Sequence, residues 1–271
     1  MLDKTYANLH IINLVRLDNH YYFLAKRYTG GGGHPSHITE FGKMTLDGDI
    51  MFTTVKSEFS AGYELEKFDE NSVLLTTVKY FYASGTQTFV GDYDYVHPVV
   101  LRVDLEGNTL WASQLPRIET DLFHPSVFHL KKGQQAIYAV YQRRSIAFEA
   151  QITKLNFNGD ALWTKPIDHI TNFSPFKKFN VIMDMDIDAD DNLYLIGNAT
   201  KDLIFGPWYF GLAKFDSNGT PLASTSNADA NNMLLGYSLK IDHQQNIVTL
   251  SHDMPYQKII LQKFNLELHS L

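Results

Sequence analysis

Apolar and polar residues alternate along this chain in short bursts separated by turn-forming residues, the pattern of half-buried strands. The clearest burst is Ile152-Thr-Lys-Leu-Asn-Phe-Asn-Gly-Asp-Ala-Leu-Trp163. Alternation leads into an Asn-Gly turn, whose glycine takes positive φ without a Cβ penalty, and an apolar strand follows. The same phrase recurs as Leu101 to Trp111, Phe41 to Ile50 and Leu212 to Leu222, and a worn copy runs from Leu261 to Leu271.

A basic residue stands at one phase of every copy: Lys43, Arg102, Lys154, Lys214 and Lys263. The steps between them are 59, 52, 60 and 49 residues, close to the roughly 40 to 50 of propeller blades and longer than helical repeats. Upstream of each copy lies a second hairpin: Asn13 to Ala25, Tyr63 to Leu75, Val127 to Val140, Met183 to Ile196 and Tyr237 to Leu250. Each unit therefore has four strands, A to D, and no capped helical stretch. One such sheet leaves a face unburied until it packs on its neighbours. The expected fold is all-β, a single five-bladed β-propeller of four-stranded antiparallel blades. The blades fall at about 10–54, 62–113, 125–165, 181–225 and 235–271. The last strand of the fifth copy is brief, so residues 1–9 are expected to help complete that blade.

The units resemble the bacterial β-propeller repeat often called SBBP: an apolar strand ending in Asp, a polar turn with Asn, an apolar strand, then a Lys-apolar-Asp-x-x-Gly hairpin ending in Trp. The fourth unit carries the resemblance best, as Met185-Asp-Ile-Asp-Ala-Asp-Asp-Asn-Leu-Tyr-Leu-Ile-Gly197 and Ala213-Lys-Phe-Asp-Ser-Asn-Gly219. It touches nearly the whole chain. It implies a bacterial propeller scaffold and carries no catalytic residues to transfer.

Composition narrows the picture. Among 271 residues there is no cysteine, so disulfides and thiolate chemistry are excluded. The net charge of −7 argues against non-specific nucleic-acid binding, which relies on clustered Lys and Arg. No apolar run approaches the ~18 residues of a membrane-spanning helix. With Asp3 and Lys4 at the start and no leader pattern behind them, a cytoplasmic location is expected.

In such blades the A–B and C–D turns share one end, and the B–C and D–A connections share the other. The first set is short throughout. The second is long and uneven, including Thr29 to His37, Tyr80 to His97, Gln114 to Pro125, Gln142 to Phe148, Lys165 to Phe179 and Asn198 to Trp208. Function tends to sit on loops held by a rigid scaffold, so this end is the expected working face. Its aromatic and arginine residues, Tyr93, Tyr95, Arg143, Arg144, Trp208, Tyr209 and Tyr256, are the candidate partner contacts. Aligning the A strands on their last apolar residue places Arg16, Lys67, His129, Asp186 and Lys240 in one ring lining an axial channel. That ring is rich in cations and suits an anion or an acidic side chain.

Other patterns lead to scaffold. The glycine run at 30–33 lacks the helix and lysine of a phosphate loop. His34, His37, His97 and His124 do not make a convergent zinc set, and the aspartates from Asp184 to Asp191 lack the Gly and Glu of a calcium loop. No metal or cofactor is expected. The repeated basic residues, each with a short polar residue two places on, recur in every blade and point to an interblade scaffold role.

The leading expectation is a non-catalytic module that binds a protein partner through the long-loop end, with no nucleic acid and no membrane insertion. A lectin stacking sugars on Tyr93, Tyr95, Trp208 and Tyr209 is the alternative. A glycosidase with acids such as Asp184 and Asp186 across an axial pocket stands third. Removal of Met1 to Leu9 is expected to lower the melting temperature, and an unchanged transition in differential scanning calorimetry would exclude their part in the last blade.

Overall fold

The computed structural model describes residues 9–28, 37–56, 59, 62–81, 95–116, 125–143, 150–167, 178–200, 209–226, 234–253 and 256–271. They form nineteen strands in five antiparallel sheets. The first sheet holds β1 (Leu9–Leu17), β2 (His20–Tyr28), β3 (His37–Thr45) and β4 (Ile50–Lys56). The second holds β5 (Leu65–Asp69), β6 (Ser72–Phe81), β7 (Tyr95–Asp104) and β8 (Thr109–Gln114). The third holds β9 (Pro125–Lys132), β10 (Ile137–Arg143), β11 (Ala150–Leu155) and β12 (Ala161–Pro166), and the fourth β13 (Lys178–Ile187), β14 (Leu193–Thr200), β15 (Tyr209–Phe215) and β16 (Pro221–Ser226). The fifth has three strands, β17 (Leu234–Ile241), β18 (Ile247–Asp253) and β19 (Lys258–Phe264). Sequence order is spatial order in every sheet, as the paired hairpins require.

By compactness the chain makes two units, Met1–Lys132 with Leu155–Leu162, and Gly133–Lys154 with Trp163–Leu271. In the first, Tyr22, Leu24 and Phe41 of one sheet pack on Leu65, Val73, Leu75, Val99 and Leu101 of the next. In the second, Tyr194, Ile196, Phe210 and Leu212 pack on Leu234, Leu239, Ile247 and Phe264, with Phe210 and Phe264 stacked at 6.0 Å. Met1 to Asn8 lie outside the described residues. Leu9 opens β1 opposite Arg27, so it belongs to the first sheet and not the fifth.

The third-to-fourth-strand turns explain the repeated phrase. A short polar side chain closes each: Asp104 accepts from the Glu106 and Asn108 amides, Asn156 from Asn158 and Asp160, Asp216 from Asn218 and Thr220, and Asn265 from Glu267 and His269. This Asx geometry leaves the fourth residue at positive φ, at Gly107, Gly159 and Gly219, and Thr45, accepting from the Asp49 amide, does the same for Gly48. The glycine has a second cause. A Cβ on Gly159 would lie 2.8 Å from the Trp111 ring, and one on Gly219 2.7 Å from the Trp163 ring. On Gly107 it would lie 2.8 Å from Thr54 of the first sheet. Each turn thus rests against the fourth strand of the sheet before it.

The fifth turn breaks the rule and keeps the packing. Leu268 takes the glycine's place at φ 65°, and it is buried. The fourth-strand residue opposite the repeated basic residue is Phe52 in the first sheet, Trp111 in the second and Ala223 in the fourth. Ala223 and Leu268 share one apolar cluster. Where the wall is an aromatic ring the turn is glycine, and where it shrinks to alanine the turn supplies a leucine. Separately, Leu268→Gly should cost about 2 kcal/mol through the lost packing, and Ala223→Trp about 1–3 kcal/mol through crowding. Together they should be less costly than the sum by about 1 kcal/mol or more, which a double-mutant cycle from urea denaturation measures.

Candidate functional site

The first strands of the sheets carry the polar residues from which a site would be built. Their register follows from the repeated basic residue, which faces Tyr22, Leu74, Tyr194 and Val248 on the second strands. Across the first hairpin those four face Val15, Glu66, Asp186 and Lys240. Arg16 and Lys67 lie one residue further on, opposite Tyr21 and Val73. Successive strand residues point to opposite faces, so these two leave the expected ring. His129 leaves it as well, being the residue that meets Glu64 while Lys131 meets Glu66. Only Asp186 and Lys240 share a level, and they pair at 2.9 Å. The reason is a bulge between Lys67 and Asp69, together with hairpins of unequal length, which puts an alignment on the last apolar residue out of step.

What these strands form instead is a set of cross-links between neighbours. In the first unit, Asn13 Nδ2 donates to Glu64 Oε1 at 3.4 Å, Glu64 Oε2 lies 3.3 Å from His129 Nδ1, and Lys131 donates to Glu66 at 3.4 Å. In the second, Asp184 Oδ2 accepts from Ser238 Oγ at 2.6 Å and from the Leu239 amide at 3.0 Å. Asp186 Oδ2 accepts from the Ile241 amide at 3.0 Å as well as from Lys240. Two such donors fix the orientation of each carboxylate and commit its Oδ2 to the neighbouring strand. The two acids proposed for glycosidase chemistry are therefore occupied as bridges between β13 and β17.

Arg16 and Lys67 stand exposed. The first donates to the carbonyl of its own Asp18, and the second pairs with Glu70. Exposed pairs of this kind contribute little. An ion pair with one buried partner lies elsewhere, at Glu40, whose carboxylate receives two bonds from the partly exposed Arg27 at 2.5 and 2.8 Å. The Arg27 guanidinium holds Glu40 below its ordinary pKa against the opposing effect of burial.

The basic residues of the repeat behave as scaffold. Lys43, Lys154 and Lys214 lie 5.4, 5.3 and 5.7 Å from the ring centres of Tyr22, Tyr138 and Tyr194. Lys154 Nζ then donates to the Ser217 carbonyl at 2.9 Å, and Lys214 Nζ to Glu267 at 3.2 Å, each in the turn of the following sheet. Arg102 and Lys263 stay within their own sheets, on Asp69 and Asp242. Tyr194 donates to Asp188, and burial with that neighbouring charge pushes its hydroxyl pKa up, so it is a fixed donor.

Of the expected partner contacts, Tyr93, Arg144 and Trp208 lie outside the described residues. Tyr95 and Arg143 sit at the ends of β7 and β10, and their side chains fall outside as well. Tyr209 is 5% exposed, because it opens β15 opposite Ala199 and is packed as a sheet residue, which removes it from the contact surface. Tyr256 is 62% exposed in the turn between β18 and β19, with Lys258 Nζ 5.6 Å from its ring centre. Of the histidines weighed as ligands, His97 is described, and its ring Nδ1 binds the Leu115 carbonyl at 2.9 Å. Among the described residues no cluster of three or more His, Cys, Asp or Glu is placed to hold a metal ion. Asn13, Lys131 and Ser238 were not singled out from sequence. The signal that would have found them is the register to the repeated basic residue.

No family model and no curated protein matches the chain. Among solved structures it is similar to a subtype N10 neuraminidase-like protein of A/little yellow-shouldered bat/Guatemala. That similarity has 9% identity and a TM-score of 0.54, over 93% of this chain and 78% of that one. The likeness is one of fold. It supports a propeller-like all-β arrangement of these sheets. A Synechocystis apocarotenoid oxygenase variant matches at 8% identity and TM-score 0.49, over 97% of this chain and 60% of that chain, so the chain spans less than two thirds of its length. A Bacteroides caccae protein of unknown function matches at 10% identity and TM-score 0.44, over 90% of this chain and 73% of that one.

Asp242 gives a pH signature to the scaffold. The Asn246 amide, with Lys263 and the Gln244 amide, holds its carboxyl at about 2, below the ordinary 3.8. A depressed folded-state pKa stabilises above the ordinary value and is lost as the pH falls through the folded one. Asp242→Asn should lower the melting temperature at neutral pH, and the gap to the wild type should close between about pH 4 and pH 2, read from thermal melts across that range.

Proposed function

We propose that the chain is a five-bladed β-propeller acting as a non-catalytic module that binds a protein partner. The observation that carries this reading is the use of Asp184, Asp186, Glu64 and Glu66 as bridges between neighbouring first strands, with their oxygens given to amides, hydroxyls, an imidazole and ammonium groups. A hydrolase of this architecture needs such acids aimed at a substrate with separations suited to acid and nucleophile roles. The five sheets in sequence order, each continuing the repeat, support the blade count.

Tyr256 supports the binding half of the reading. It is a large side chain held in the open on a short turn, on the end of the sheet that carries the long connections, with a lysine placed over its ring. Tyrosines so presented give much contact area for little lost side-chain freedom and anchor protein interfaces. A cytoplasmic location belongs to the same proposal.

The test uses the intact chain with a photo-crosslinking residue beside Tyr256, exposed to extract of its native cell and followed by mass spectrometry. A discrete protein is expected, and Tyr256→Ala should weaken its binding by about tenfold while the melting temperature stays unchanged. Turnover of chromogenic glycosides that disappears in Asp184→Asn would overturn the reading in favour of an enzyme, and a saturable signal on a glycan array would favour a lectin.

A further inference from the structure

Two of the seated turns carry a chemically reactive dipeptide. Asn158 precedes Gly159, and Asn218 precedes Gly219. The corresponding turns elsewhere read Asp47-Gly48, Glu106-Gly107 and Glu267-Leu268, with no side-chain amide to lose. Asparagine is a thermolabile residue, and before glycine it is most so, because no Cβ obstructs the approach of the next backbone nitrogen to its side chain. Both asparagines are exposed, and neither side chain makes a hydrogen bond among the described residues.

The backbone around them is held. The Gly159 amide donates to the Asn156 carbonyl at 3.1 Å, and the Gly219 amide to the Asp216 carbonyl at 2.9 Å. The Asn158 and Asn218 amides donate to the side chains of the same two residues, each at 2.9 Å. Gly159 lies against Trp111 at φ 89°, and Gly219 against Trp163 at φ 75°. Phe157 meets Phe68 edge-on at 5.5 Å beside the first turn. Two ammonium groups hold the second, Lys154 on the Ser217 carbonyl at 2.9 Å and Lys165 on the Asn218 carbonyl at 2.6 Å. Ring closure between the glycine nitrogen and the asparagine Cγ requires the peptide plane between them to rotate and the glycine N–H to be given up. The turn must therefore leave its seat first.

We propose that Asn158 and Asn218 are the sites at which this chain deamidates, and that the seating of each turn on its tryptophan is the gate. In the opened turn the glycine nitrogen loses its proton to water and attacks the asparagine Cγ. The side-chain nitrogen takes up a proton and leaves as ammonia, and a five-membered succinimide remains. Water, the only co-reactant, then opens the ring at either carbonyl. One opening restores the ordinary peptide bond beside an aspartate. The other sends the main chain through the former side chain as isoaspartate, one methylene longer.

The fold accepts these products differently. Aspartate keeps the backbone length, and its side chain occupies the exposed position of the asparagine. Isoaspartate adds a backbone carbon inside the loop closed by the Asx residue. There even a Cβ on the glycine would come within 2.8 Å of Trp111 or 2.7 Å of Trp163. The lengthened turn does not reseat, so one opening is recorded in the covalent chain. The gate is local, because Asn158 depends on Trp111 and Asn218 on Trp163.

The experiment uses the full chain at neutral pH, folded and in guanidinium chloride at the same temperature. Deamidation is read by mass spectrometry of the peptides carrying each asparagine, and isoaspartate by labelling with an isoaspartyl methyltransferase. Both sites should convert about tenfold or more slowly in the folded chain, since only the opened fraction reacts. Trp111→Ala should speed Asn158 and leave Asn218 unchanged, and Trp163→Ala should do the reverse, each compared where circular dichroism shows the variant folded. Chains enriched in isoaspartate should melt below the wild type, whereas Asn158→Asp and Asn218→Asp should keep its transition. Equal rates in folded and unfolded chains would overturn the gate, as would equal acceleration of both sites by either tryptophan variant. Isoaspartate chains that melt with the wild type would overturn the exclusion of the longer backbone.

Discussion

The close approach of one turn to the preceding sheet is the constraint on which the rest of this structure depends. Gly159 against Trp111 and Gly219 against Trp163 leave no room for a Cβ, and the Asx residue before each glycine forces the backbone into the one conformation that makes the approach. Backbone geometry and side-chain size are therefore settled by the same residue. Once the turn is seated, the third-strand lysine of one sheet reaches the turn of the next, as Lys154 reaches Ser217, and the second-strand tyrosine lies beneath it. Apolar packing between the sheets supplies most of the stabilisation. The seated turn sets their spacing.

At the other side of the sheets, polar groups do a similar task. Thr39 bonds Thr77 at 3.0 Å between the first and second sheets, and the Ile182 amide bonds Gln142 between the third and fourth. Asp184 and Asp186 join the fourth to the fifth through backbone amides. Each pairs a buried or half-buried polar atom, and such bonds are costly to break because the group left behind is out of water. This is why acids that look free in a strand pattern are committed in the fold.

How much of this was legible in the sequence follows from what a period of two can carry. Alternation and turn residues located the hairpins of every sheet and the brevity of the fifth. They also marked Lys154 and Lys214 as scaffold, because repetition itself is the signal. Alternation does not count across a bulge. One added residue before Asp69 moved Lys67 to the other face, and the ring built from Arg16, Lys67, His129, Asp186 and Lys240 came apart while Asp186 and Lys240 stayed together. Tyr209 failed for a related reason: the last residue of a loop and the first of a strand have the same composition, and only burial separates them. Tyr256 stands exposed in the connection between β18 and β19, as a loop position read from the sequence should.

The exchange of Trp and Gly for Ala223 and Leu268 has a meaning beyond stability. Nearly identical repeats in one chain risk stacking out of sequence during folding, since any turn fits any neighbour. A leucine-bearing turn has no room against a tryptophan wall, and Leu268 is accommodated in the cluster that holds Ala223. The fourth and fifth repeats are thereby keyed to each other by size, and the pair of side chains sets which turn follows which sheet.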